Sequence, residues 1–163
     1  MVLWFAILAP VIVAEVFRSP MADYRVVAVG GILPLSEIVF GGPRLLHTMM
    51  AAMSLMAIVM LATSKRRLVR RRLLGIPIGL LLHLVLDGTW TDAALLWWPA
   101  FGFDFPQDAA AAFNRPVEVG LLLDLLALAI GYWAYRRYDL DDPVNRQLLL
   151  RTGRLSRAAM PEN

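Results

Sequence analysis

The stretch LLGIPIGLLLHLVLDGTW, residues 73–90, decides how this chain is read. It is apolar over nearly the length that crosses a bilayer, about 20 residues in a range of roughly 17–25. It also carries His83 and Asp87 toward one end. Four further stretches have the same character: 1–17, 26–40 (interrupted by Gly30-Gly31 and Pro34), 45–63 and 116–135. The first has the length of a signal peptide but no basic n-region and no A-x-A site, so it reads as retained. Five spans predict an all-α, polytopic membrane bundle over 1–138, with a re-entrant or interfacial segment over 93–101. A basic amphipathic tail on the cytoplasmic side is expected over 139–163, where NRQLLLRTGRLSR mixes leucine with arginine.

Composition agrees with that class. Of 163 residues, 59% are hydrophobic and 18% charged, with mean hydropathy +0.61. Those values exclude a disordered chain and a fibrous repeat, and they do not suit an ordinary soluble enzyme. With no cysteine, a disulfide framework, a thiolate metal site and a thiol nucleophile are all excluded. The net charge of +3 invites a nucleic-acid reading of SKRRLVRRR. A topogenic loop beside anionic lipid explains that run without one, and no nucleic-acid partner is expected.

Charge placement sets the expected orientation. Five crossings put fourteen of the 16 Lys and Arg on one side, leaving Arg44 and Arg115 on the other. Because cytoplasmic loops hold the Lys/Arg excess, the expectation is N-terminus out and C-terminus in, in a bacterial inner membrane. The outer layer then collects both histidines, His47 and His83, with Glu37, Asp87, Asp92, Asp104, Asp108 and Glu118.

Ionisable groups at membrane depth persist where they face a cavity, pair or bind an ion. His83-x-x-x-Asp87 places an imidazole and a carboxylate on one helix face, one turn apart. A divalent ion relieves the repulsion among clustered acids, and neutral imidazole and carboxylate are its natural ligands. Taken alone, His83 and Asp87 read first as a hydrogen-bonded pair locking a helix, and His47 as an interfacial helix-end residue; the convergence of both histidines and the carboxylates on one layer is what favours a metal. Glu15 and Asp124 read as interhelical polar contacts; a proton-coupled carrier built on them lacks the inverted repeat expected of one. Trp97-Trp98-Pro99 reads as an aromatic belt that could also wall a site for a lipid-like substrate. The methionines between 49 and 60 read as apolar filler.

The set Leu33-Pro34-x-x-Glu37, Arg44-x-x-His47-Thr48, Gly79-x-x-x-His83-x-x-x-Asp87, Leu95-Leu96-Trp97-Trp98-Pro99 and Glu118 resembles the bacterial membrane-bound metal-dependent hydrolases. Their pattern has an LPDxDH-like segment, an HRGxTH-like segment, a GxxxHxxxD helix, a leucine-tryptophan-proline run and a later glutamate. The resemblance runs from about residue 31 to 122. This chain has PLSE where the family has more acids and a histidine, and Pro43 where it has its first HRGxTH histidine, so fewer ligands remain. A more distant similarity, in the order His, HxxxD, acid, Glu, is to the zinc-dependent phospholipase C and nuclease superfamily.

The resemblance and the outer layer together imply a metal-dependent hydrolase at the outer leaflet, acting on a phosphate ester of a lipid or envelope precursor. His47, His83, Asp87 and Glu118 would hold the ion, zinc by its imidazole share. Glu37 or Asp92 would be the general base, and Arg44 would clamp an anionic substrate group or pair with Glu37. The alternative expectation is a non-catalytic accessory subunit of a larger membrane complex, with His83–Asp87 a structural pair.

Overall fold

The computed structural model describes residues 1–105 and 114–156. Asp108 and Arg157 lie outside them, as does the end of the tail expected over 139–163. The described chain is helical throughout, with no strand among the described residues. Its α-helices are α1 Val2–Phe17, α2 Tyr24–Ile32, α3 Met49–Ala62, α4 Arg67–Leu73, α5 Gly75–Asp87, α6 Ala93–Leu96, α7 Val117–Arg137 and α8 Pro143–Thr152. Short 3-10 helices occupy Leu33–Phe40, Leu45–His47 and Thr89–Thr91.

The expectation of five spans is corrected by the helix lengths. Among the described residues only α7, 21 residues long, is long and apolar enough to cross a membrane. Residues 26–40 divide between the nine-residue α2 and a 3-10 helix that ends at Gly41, whose φ of 81° L side chains rarely adopt. Residues 73–90 give only the 13-residue α5, stopped at Gly88 with φ 80°. That helix rises about 20 Å, against a hydrocarbon core of about 30 Å. Residues 45–63 open with a 3-10 turn, so α3 has 14 residues, and α1 has 16. The apolar runs are real, but turns and caps cut them short. An orientation of N-out, C-in counted on five crossings loses its basis.

What positions the site is the close approach of α2 and α5. Gly75 and Gly79 stand one turn apart on α5. A Cβ on Gly79 would overlap the Val27 carbonyl oxygen and lie 2.7 Å from the Gly31 nitrogen; one on Gly30 would overlap the Ile76 carbonyl. Small residues let the two backbones touch, as they do where helices pack without bulky side chains between them. On its other side Gly31 meets α1, where an added Cβ would be 3.0 Å from the Phe5 carbonyl oxygen and 3.1 Å from the Ala9 methyl. The α2 C-terminus is therefore wedged between α1 and α5.

Two apolar clusters flank this wedge. Ala9, Val13, Tyr24, Val27, Ala134 and Tyr138 pack α1, α2 and α7 together, and Leu155 joins them from beyond α8. Ala52, Leu80, Leu84 and Leu96 pack α3 against α5 and α6. Residues 143–155 lie on the helical body: the Tyr24 amide donates to the Gly153 carbonyl at 2.8 Å and the Arg25 guanidinium to the Leu150 carbonyl at 2.7 Å. Tyr138 donates its hydroxyl to Glu15 at 2.9 Å, and Asp124 accepts the Trp4 amide at 3.0 Å, so both acids tie α1 to the end or flank of α7. Over 93–101 the chain makes the four-residue α6 and then turns, burying Leu95 and Leu96 and leaving Trp97 exposed.

Candidate metal centre

His83 comes from the third turn of α5 and Asp87 from its last, so helical spacing sets both on the side facing α2 and the segment before α3. His47 ends the 3-10 turn preceding α3, whose first residue is capped by Thr48: its hydroxyl accepts the Ala51 amide at 3.1 Å. His47, His83 and Asp87 are all fully buried. Each offers a ligand atom, and these atoms all lie within 4.8 Å of one another, so this group could hold a metal ion. The two imidazole rings stand 5.2 Å apart and nearly perpendicular, and Phe5 stacks on His83 at 4.0 Å.

The hydrogen bonds behind the rings fix which nitrogen is available. His83 Nδ1 is 2.7 Å from the Gly31 carbonyl, which can only accept, so Nδ1 carries the proton. Nε2 is then a bare lone pair, buried and without a hydrogen-bond partner among the described residues. His47 Nδ1 lies 2.7 Å from Glu37 Oε2 and donates to it, the usual way a carboxylate orients a ligating imidazole. Burial drives the His83 imidazole toward its neutral form and the His47 ring adds to this, against the Gly31 carbonyl, bringing it down to about 3. Burial alone would raise the Glu37 carboxyl, but the donors from His47, Leu46 and Arg44 hold it below the ordinary carboxylate range.

Asp87 occupies the C-terminal turn of α5, where the helix dipole already presents partial negative charge. The Thr89 hydroxyl donates to Asp87 Oδ2 at 3.1 Å, and the Arg115 guanidinium reaches the Asp87 backbone carbonyl at 3.1 Å.

The other expected site residues fall elsewhere. Glu37 is buried behind His47, accepting the backbone amides of Arg44 at 2.7 Å and Leu46 at 2.8 Å, so it braces the loop and the ring. Asp92 caps α6, its Oδ1 accepting the Leu95 amide at 3.0 Å. Arg44 is exposed and its guanidinium donates to the Phe40 carbonyl; its link to Glu37 runs through its own amide. Glu118 is exposed in the first turn of α7 and is not in the group of ligand atoms. Three contributors were not read from the sequence: the Gly31 carbonyl, Phe5 and Thr89. Only Thr89, two residues beyond Asp87, carried a local signal, since a hydroxyl there can return to the carboxylate.

Two consequences are measurable. Glu37→Gln removes the acceptor behind His47 and turns an amide toward its donors. Metal affinity, measured by competition with a chromogenic chelator, should fall about 10–100-fold, the usual cost of losing such a partner. Asp92→Ala should cost about 1 kcal/mol in thermal or denaturant unfolding, the price of an N-cap, with metal affinity unchanged. No family model, curated protein or solved structure matches this chain.

Proposed function

We propose that this protein is a metal-dependent hydrolase that holds one zinc ion through His47, His83 and Asp87. It works at a bacterial cell membrane on a phosphate ester of a lipid or envelope precursor. The observation that carries the reading is the buried, bare Nε2 of His83, held by a backbone carbonyl in a group with His47 and Asp87. Two imidazoles and a carboxylate are a donor set that suits zinc, and three protein ligands leave a fourth position. A bound divalent ion supplies Lewis acidity and a water acidified toward neutrality. The chain's own part is orientation: Glu37 and the Gly31 carbonyl aim the imidazoles, and Thr89 engages one carboxylate oxygen so that Asp87 is held in place. A membrane setting is favoured by α7, whose Leu121, Leu122 and Leu125 are each more than 60% exposed on a helix long enough to cross.

Full burial of all three ligands favours a second reading, in which the group is structural within an accessory subunit. Closed sites are typical of structural zinc and open ones of catalytic zinc. One experiment separates the two. Purified protein is loaded with zinc, its bound metal is measured by mass spectrometry, and hydrolysis is followed on phosphomonoester, phosphodiester and carboxyl ester substrates. Stoichiometric zinc with phosphoester turnover, both lost in the His83→Ala, Asp87→Ala double variant, supports the hydrolase. Stoichiometric zinc without turnover favours the structural reading, and negligible metal in wild type and variant alike overturns the hydrolase and a structural zinc together.

A further inference from the structure

A second feature lies away from the buried histidines, where the start of α2, the basic helix α4 and the end of α8 meet. They enclose a cavity of about 400 Å³ whose lining includes Arg25, Arg71, Arg72, Arg151 and Arg154, with Asp23 as its one acid. Asp23 is buried and already engaged, by Arg25 at 3.2 Å and by Arg72 at 3.0 Å. Its role is to fix those two guanidinium groups at the wall. Arg71, Arg151 and Arg154 make no ion pair among the described residues, so the cavity has a large positive excess.

Beside it runs a second cavity of about 350 Å³, lined by Val26, Val29, Val69, Leu73 and Ile76. The two share Val69 and Arg72. A cationic chamber that continues into an apolar groove has the chemistry of one ligand class, an anionic headgroup joined to a hydrocarbon chain. Guanidinium groups suit phosphate oxygens through paired N–H donors.

We propose that this composite cavity binds an anionic phospholipid, its phosphate among Arg71, Arg151 and Arg154 and an acyl chain along Val29, Val69 and Ile76. The site is independent of any metal at His83.

The full chain in maltoside detergent is titrated with dioctanoyl phosphatidylglycerol and followed by calorimetry. Dioctanoyl phosphatidylcholine serves as the uncharged comparison and glycerol 3-phosphate as the chain-free one. Saturation near one phosphatidylglycerol per protein, at least about tenfold tighter than either comparison, is the expected result. Equal binding of phosphatidylcholine would overturn the headgroup assignment, and equal binding of glycerol 3-phosphate would overturn the lipid. The exposed pair Arg151→Gln, Arg154→Gln should weaken phosphatidylglycerol about tenfold or more, on the scale of a basic residue near anionic lipid. Val29→Asp, also exposed, should weaken phosphatidylglycerol but not glycerol 3-phosphate. Unaltered phosphatidylglycerol affinity in both variants overturns the proposal.

Discussion

Alanine at His83 is expected to lower zinc affinity by about a hundredfold or more, and the same at Asp87, while Glu118→Ala leaves it within about twofold. Structural zinc sites bind with about 10–16 kcal/mol in total, so one ligand of a small set is worth roughly 3 kcal/mol. His83 and Asp87 are members of the compact group; Glu118 stands exposed on α7. His83→Ala also removes the face on which Phe5 stacks and leaves the Gly31 carbonyl without its donor, so stability should fall alongside. Competition titration with a chelator of known affinity gives the first quantity, and thermal unfolding of the metal-free protein the second. Separating them shows that metal loss in the variant is not merely unfolding.

Gly79→Leu should be among the most damaging single changes outside the metal group, costing about 3 kcal/mol or more, because any Cβ there collides with backbone and backbone cannot swing aside. The collision is with the Val27 carbonyl and the Gly31 nitrogen, so it also displaces the carbonyl that orients His83. Loss of zinc affinity should therefore accompany the fall in unfolding midpoint. Gly131→Ala is the contrast: its Cβ would meet only Ile7 methyl groups at 3.3 and 3.4 Å. Relief there is a small side-chain shift, offset by the better helix preference of alanine, and the midpoint should barely move.

Different parts of this molecule were legible in its sequence to different degrees. Helix was readable because long continuous apolar runs are most simply satisfied as helices, and His83 and Asp87 announce themselves by i,i+4 spacing. The number of spans was not, since hydropathy sums over Leu33, Thr48 and Gly88 without registering that each ends or starts a helix. The segregation of charge and the resemblance put His47 and His83 in one layer, and their meeting depends on α2 and α5 touching at Gly30 and Gly79, residues some fifty positions apart. Asp92 serves a helix terminus and Glu37 a loop and a ring, roles that carry no signature distinct from catalysis in one sequence.

Two imidazoles and one carboxylate converging on a single ion would leave a distinct signature in X-ray absorption at the zinc edge of the loaded protein. The expected spectrum has nitrogen and oxygen neighbours at about 2.0–2.2 Å with outer scattering from two imidazole rings, reduced to one ring in the His47→Ala protein. A shell of oxygen alone, or imidazole scattering that His47→Ala and His83→Ala leave intact, would contradict it.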